Sequence, residues 1–178
     1  MSDARAVPLP ALVLYLLALS LQRLLELRRS ARNTRILRAR GAVEHGAAHY
    51  PFIVALHVLF PLALIAEVAR GGARPPPAWP LWLTLIALAQ VLRLWTQRTL
   101  GDLWTTRVLV LPGQRPIERG LYRFTLHPGY IAVIVELFAA PMMFGAWRSA
   151  SVVSALNALL LWRRVLAEER ALEIGSAR

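Results

Sequence analysis

The chain has no cysteine and no lysine, and only ten of its 178 residues are acidic. Without cysteine there is no disulfide, no thiolate nucleophile and no Cys-ligated metal site. With so few carboxylates against 21 arginines, the formal net charge is +11. No internal repeat is visible, and no low-complexity tract beyond the stiff turn Arg74 to Pro77. No small-residue cleavage signature follows the first apolar run, which begins near Pro8, so that run reads as a retained helix and not a cleaved leader.

What remains is apolar and arginine-rich. Hydrophobic residues make up 57% of the chain and the mean hydropathy is +0.48, too high for an ordinary soluble domain. A basic chain can bind nucleic acid or acidic lipid. Here the arginines lie between long apolar runs and not in one tail, which favours the bilayer and argues against a nucleic-acid partner.

A membrane helix needs about 20 mainly apolar residues. Five stretches meet or approach this: Pro10 to Leu27, Pro51 to Ala69, Trp79 to Leu94, Tyr130 to Trp147 and Ala150 to Val165. The expected fold is an all-α integral membrane protein of about five transmembrane helices, folded as one domain over 1–178. The fourth and fifth spans, separated only by Arg148 and Ser149, should form an antiparallel hairpin, and Pro141 should kink the fourth. Arginine sets the orientation. Fourteen arginines fall on the side of the Arg28 to Arg40 and Arg107 to Arg123 segments and the C-terminal tail; four fall on the other. The expectation is a multi-pass inner (plasma) membrane protein with its C-terminus and the loop before the fourth helix in the cytoplasm.

That loop runs into the most informative stretch, Gly120 to Leu137. Proline disfavours the α region for the residue before it and suits the first position of a helix. His127 therefore reads as a cap and Pro128 as the opening of an apolar helix. Free N–H groups and the positive end of the helix dipole lie there, a place that suits a polar ligand. The competing reading is a plain helix start at a membrane interface.

Several polar residues sit inside the apolar runs, where they are costly and usually face the protein interior. Gln90, Arg93 and Gln97 share one helix face, and Asn157, Arg164 and Glu168 share another. We read Gln90, Arg93 and Asn157 as an interhelical polar seam. Glu136, Arg164 and Glu168, with His127 at the same membrane level, read as a site; Arg164 and Glu168 could instead be a helix-end ion pair. The Arg28 to Tyr50 segment reads as a loop. Its arginines suit anionic head groups. Its Glu44, His45 and His49 match no familiar metal spacing, so a lid or substrate-contacting loop is favoured and no metal is expected.

Gly120-x-Tyr122, His127-Pro128-x-Tyr130 and Arg164-x-x-x-Glu168-Glu169-x-x-Leu172 together resemble the isoprenylcysteine carboxyl methyltransferase family, concentrated in residues 100–172. LGDLWTTRVLVLPG and the N-x-R…GAVEHGAAHY segment resemble its bacterial branch of alkylresorcinol and alkylpyrone O-methyltransferases. The resemblance implies S-adenosylmethionine as cofactor, in a cytoplasmic pocket between the loop before helix four and the C-terminal end of helix five. By motif, the cofactor would touch Gln114, Arg115, Pro116, Ile117, Tyr122, His127, Pro128, Gly129 and Tyr130, with Glu168 on the far side. Arg164 would face the methyl acceptor. Family members carry Arg just before the His-Pro pair; this chain has Leu126, with Arg123 a stand-in.

A carboxylate acceptor is already ionised and needs only a positioning cation. A phenolic or enol-like hydroxyl gains from a neighbouring base or cation. His127, Glu136, His49 and Glu44 are the candidate bases, with His49 also a candidate substrate contact. The expected activity is O-methylation of a lipophilic phenolic or pyrone acceptor. The alternatives are carboxyl methylation of an isoprenylcysteine-like substrate and a non-enzymatic small membrane protein.

Overall fold

The computed structural model describes residues 7–71, 73–115, 117–125 and 127–176, with side chains as far as Ala171. Five α-helices carry the fold: α1 (Leu9–Ala39), α2 (Tyr50–Ala69), α3 (Trp79–Leu100), α4 (Pro128–Met143) and α5 (Trp147–Ser176). A proline stands in the first turn of each of α1 to α4. Its fixed φ is pre-organised there and its missing N–H would have no helical partner anyway.

Three helical stretches, Leu9–Ala39, Ala47–Ala69 and Trp147–Ala171, are long and apolar enough to cross a membrane. α4 is apolar but only 16 residues long. α3 falls below that hydropathy because it buries Arg93, Thr96 and Gln97 on its inner face while Leu88, Val91 and Leu94 stand outward. The outward faces of α1, α2 and α5 are similarly apolar, with Leu14, Leu17, Val58, Leu62, Leu156 and Leu159 exposed. Such a continuous apolar surface suits lipid, not water.

α4 packs against both α3 and α5, and α2 against α5. Small residues allow the close approach: Ala132, Ala139 and Ala140 of α4 and Ala150 of α5 are buried. Phe60, Leu137 and Val153 fill the space beside them.

Three local expectations change. The segment after Leu27 is not a loop, because α1 continues to Ala39. Its arginines hide an inward stripe, Glu26, Ser30, Asn33 and Leu37, that docks on the chain after α3. Asn33 Nδ2 donates to the carbonyls of Gly101 (3.1 Å) and Trp104 (2.7 Å). The α4–α5 turn is Phe144 to Ala146, and Arg148 and Ser149 already belong to α5. Their N–H groups are free first-turn donors, and the Glu67 carboxylate of α2 accepts them at 3.2 and 2.7 Å. Gly145 has φ +74°, and a Cβ there would lie 1.8 Å from the Arg74 carbonyl oxygen, so only glycine fits. Pro141 is fully buried in the last turn of α4, which ends at Met143.

The fold is also not purely helical. Val43–His45 (β1) pairs antiparallel with Val108–Val110 (β2), in the register Val43 with Val110 and His45 with Val108. This ribbon packs on α5 through Val108, Val110 and Ala171. It ties the segment after α1 to the segment after α3, at the end of the bundle where α4 begins.

Candidate active site

A cavity of about 380 Å³ runs from that end of the bundle down between the helices. Gln114, Ile117, Tyr122, His127, Gly129 and Tyr130 line it from the α3–α4 connection and the start of α4. Arg164 and Glu168 line it from α5. Residues of the α3–α4 connection and of α5 thus meet in one space.

His127 caps α4 with non-helical backbone (φ −131°, ψ 53°), and its side chain makes no capping bond. The imidazole is instead stacked on the Tyr130 ring, with centroids 5.0 Å apart and planes 13° from parallel. Its Nε2 lies 3.5 Å from Glu169 and its Nδ1 3.9 Å from Glu168. Tyr130 O–H donates to Glu168, and Arg164 Nε donates to the Tyr130 oxygen at 2.7 Å. A second Arg164 nitrogen donates to the Thr106 carbonyl at 2.8 Å. Arg164 and Glu168, one turn apart on α5, are therefore joined through the Tyr130 hydroxyl and not by the direct ion pair their spacing allows.

The walls are held from outside. Ser30 Oγ accepts the Thr106 N–H at 2.9 Å, and Tyr50 Oη lies 3.1 Å from Thr106 Oγ1. Glu44 on β1 joins Arg107 and Arg38, each at 2.6 Å. Burial alone would raise the Glu44 carboxyl; the bonds from Arg107 and Arg38 outweigh it and hold the group below the usual carboxylate range. Burial, and then the nearby Glu168, push the Tyr122 phenol well above its ordinary value, so it remains a donor at neutral pH.

The other expected residues lie elsewhere. Arg115 is exposed, and Pro128 is buried and does not line the cavity. Pro116 and Leu126 lie outside the described residues. His49 folds over Gly46, where a Cβ would come within 2.1 Å of its ring, and does not line the cavity; its neighbour Tyr50 does. Glu136 is 1% exposed and belongs to a second cluster deeper in the bundle. Arg23 donates to both its oxygens at 2.9 Å, and Arg93 binds one of them. Both oxygens are engaged by guanidinium groups, and Glu136 does not line the cavity that His127 lines.

Sequence reading missed Glu169, although it adjoins Glu168 in the same motif. It also missed Thr106 and Trp104 as cavity walls, although both stand in the LGDLWTTRVLVLPG segment. Among the described residues, no group of three or more His, Asp or Glu side chains is placed to hold a metal ion.

The apolar outer surface, with three helices long enough to cross a membrane, marks an integral-membrane protein with a cavity between its helices. Within that class, the chain belongs to the isoprenylcysteine carboxyl methyltransferase family, whose sequence model matches residues 82–174. The family is one of membrane methyltransferases, and the match contains the His-Pro and Arg164 to Glu169 motifs. The chain is 36% identical over 155 residues to YpbQ, an uncharacterized protein of Bacillus subtilis strain 168, covering 87% of this chain and 92% of that one. It is 25% identical over 144 residues to an uncharacterized protein of Haemophilus influenzae, covering 80% and 84%. No solved structure matches the chain.

Proposed function

We propose that the chain is an S-adenosylmethionine-dependent O-methyltransferase that acts on the hydroxyl of a long-chain phenolic or pyrone lipid. The observation that carries this reading is the relay Thr106–Arg164–Tyr130–Glu168 at the junction of a polar mouth and an apolar channel.

The residues fit the cofactor. The cavity volume lies in the range of small-molecule sites, roughly 300–1,000 Å³. Glu168 and Glu169 offer carboxylate acceptors for an ammonium group or ribose hydroxyls. The start of α4 at Gly129 offers helix N–H groups to a carboxylate. Tyr122 and the stacked His127–Tyr130 pair offer aromatic faces to an adenine. When bound, S-adenosylmethionine supplies an electrophilic methyl group on its sulfonium.

The chain's own residues position the acceptor. Arg164 is fixed by two hydrogen bonds and presents a permanent cation where an acceptor oxygen would carry developing negative charge. An unperturbed phenol has a pKa of about 10, so a cation beside it favours the ionised form. Glu136 does not line the cavity; His127, which does and stands at its mouth, is the group we assign to take the hydroxyl proton. Alignment and exclusion of water are the main demands of an in-line transfer, and the β-ribbon, Trp104 and Thr106 wall off that end.

The flank of the cavity supports a lipophilic acceptor. Leu27 of α1 and Val54 and Val58 of α2 line it and also stand on the outer apolar surface. A lipid tail can lie between α1 and α2 while its head reaches Arg164. All five helices would then span the bilayer, with the cavity mouth on the arginine-rich, cytoplasmic side of an inner membrane. The decisive experiment supplies purified protein with methyl-labelled S-adenosylmethionine and either an alkylresorcinol or a prenylcysteine analogue. Label in the alkylresorcinol is expected. Label only in the prenylcysteine analogue would move the function to carboxyl methylation, and no cofactor binding would remove the methyltransferase reading.

A further inference from the structure

The cavity has two polar levels. Ser30, Tyr50 and Arg164 stand at the upper one, around Thr106. Seven residues along each of the same three helices stand Arg23, His57 and Asn157, which line the same cavity. At a rise of about 1.5 Å per residue, the second level lies roughly 10 Å deeper, among apolar walls.

Asn157 is the telling residue. The residue is 4% exposed, its side chain faces the cavity, and among the described residues its amide makes no hydrogen bond. An interhelical seam, its expected role, would pair it. An amide that faces a cavity without a protein partner is open to a water or a ligand. His57 lines the same floor with Nδ1 2.8 Å from the Ile53 carbonyl oxygen. A carbonyl only accepts, so Nδ1 carries the proton and Nε2 is left as an acceptor. Thr96 adds a buried hydroxyl with no partner.

The charges at this depth cancel. Arg23 and Arg93 face Glu26 and Glu136, each carboxylate engaged by both guanidinium groups. The floor therefore has no spare charge to draw an anion. It has an amide that both donates and accepts, and an imidazole nitrogen that accepts. A neutral hydroxyl matches both, whereas a carbonyl would leave the imidazole nitrogen unmet.

We infer that the floor is a second ligand subsite, formed by Asn157 and His57, that binds a hydroxyl on the acceptor lipid about 10 Å from its methyl-accepting oxygen. This rests on the proposed lipid-acceptor function and narrows it: the preferred substrate carries two polar groups, one at each level. A plain alkyl chain would lie against the unpaired amide.

The test uses two labelled probes, a long-chain alkylresorcinol and the same lipid with one hydroxyl on its chain roughly 10 Å from a ring oxygen. Equilibrium binding to the full-length protein in lipid nanodiscs is measured first, without cofactor. The wild type should bind the hydroxylated probe about tenfold more tightly, the worth of one or two buried neutral hydrogen bonds. Asn157→Leu and His57→Phe should each draw the two affinities together, with thermal melting used to establish that the variants are folded. Equal affinities in the wild type, no binding of either probe, or a preference that survives both substitutions overturns the subsite. Methyl transfer to the same probes is then read separately. Preference without transfer keeps the subsite and removes the methyltransferase reading; transfer without preference does the reverse.

Discussion

Two clusters of arginine and glutamate lie in the bundle, one shared by α1, α3 and α4 and one on α5 beside the start of α4, and they differ in how completely they are satisfied. In the deep cluster, Glu26 and Glu136 have all four carboxylate oxygens bound by Arg23, Arg93, Gln22 or Gln97. At the mouth, the side chains of Glu168 and Glu169 are 31% and 43% exposed, and their contacts to His127 are 3.9 and 3.5 Å. The first cluster joins α1, α3 and α4 and has no carboxylate oxygen left unbound. The second has donors and acceptors to spare beside a cavity. Identical residue types are thus mutually paired in one place and left open beside a cavity in the other, and the difference lies in the unspent hydrogen-bonding capacity.

The largest expected effect comes from breaking the closed cluster. Glu136→Leu leaves Arg23 and Arg93 short of a partner in the apolar interior. Such a loss costs on the order of 3–5 kcal/mol. Thermal unfolding in detergent should show a large fall in midpoint, or the variant should fail to accumulate. A near-wild-type midpoint would mean that the deep cluster is not structural.

Arg164→Lys probes the open cluster. Lysine keeps the charge but loses the planar fork that reaches Tyr130 and Thr106 at once. The variant should fold and bind cofactor. Its turnover at saturating cofactor should fall by roughly 30- to 1000-fold, the worth of about 2–4 kcal/mol of transition-state stabilisation. Near-wild-type turnover would return Arg164 to a helix-end role.

A smaller effect separates the ribbon from both clusters. The Glu44 carboxyl is held below its ordinary range by Arg107 and Arg38, so its stabilising contribution is present above the unfolded value, about 4.3, and is lost as pH falls through the lower folded value. Arg38 is largely exposed, so the pair is worth at most about 1 kcal/mol. The midpoint difference between wild type and Glu44→Gln should be small at neutral pH and vanish in acid. A difference that grows in acid would contradict the assignment.

The clusters also differ in how readable they were. The mouth was legible because proline and glycine mark its boundaries, and because Tyr122, His127, Tyr130, Arg164 and Glu168 stand in short spaced motifs. The deep cluster was not. Glu136 looks like a free carboxylate on its own helix, and its partners Arg23 and Arg93 come from two others. The ribbon was hidden because two three-residue strands more than sixty positions apart carry no periodic signal. The length of α1 was hidden because exposed arginines mask the stripe from Glu26 to Leu37. Asn157 read as seam because only the packed structure shows that, among the described residues, no side chain crosses to meet it.

The central claim is that the mouth cluster, with its unspent capacity, is the cofactor site. Calorimetric titration of S-adenosylmethionine into wild type and Glu168→Gln tests it most directly. The account predicts saturable binding to the wild type and a loss of roughly tenfold or more in the variant, the scale of a charged hydrogen bond, with little change in melting temperature. Binding to the variant within a few-fold of wild type, or a loss matched by general unfolding, would contradict it.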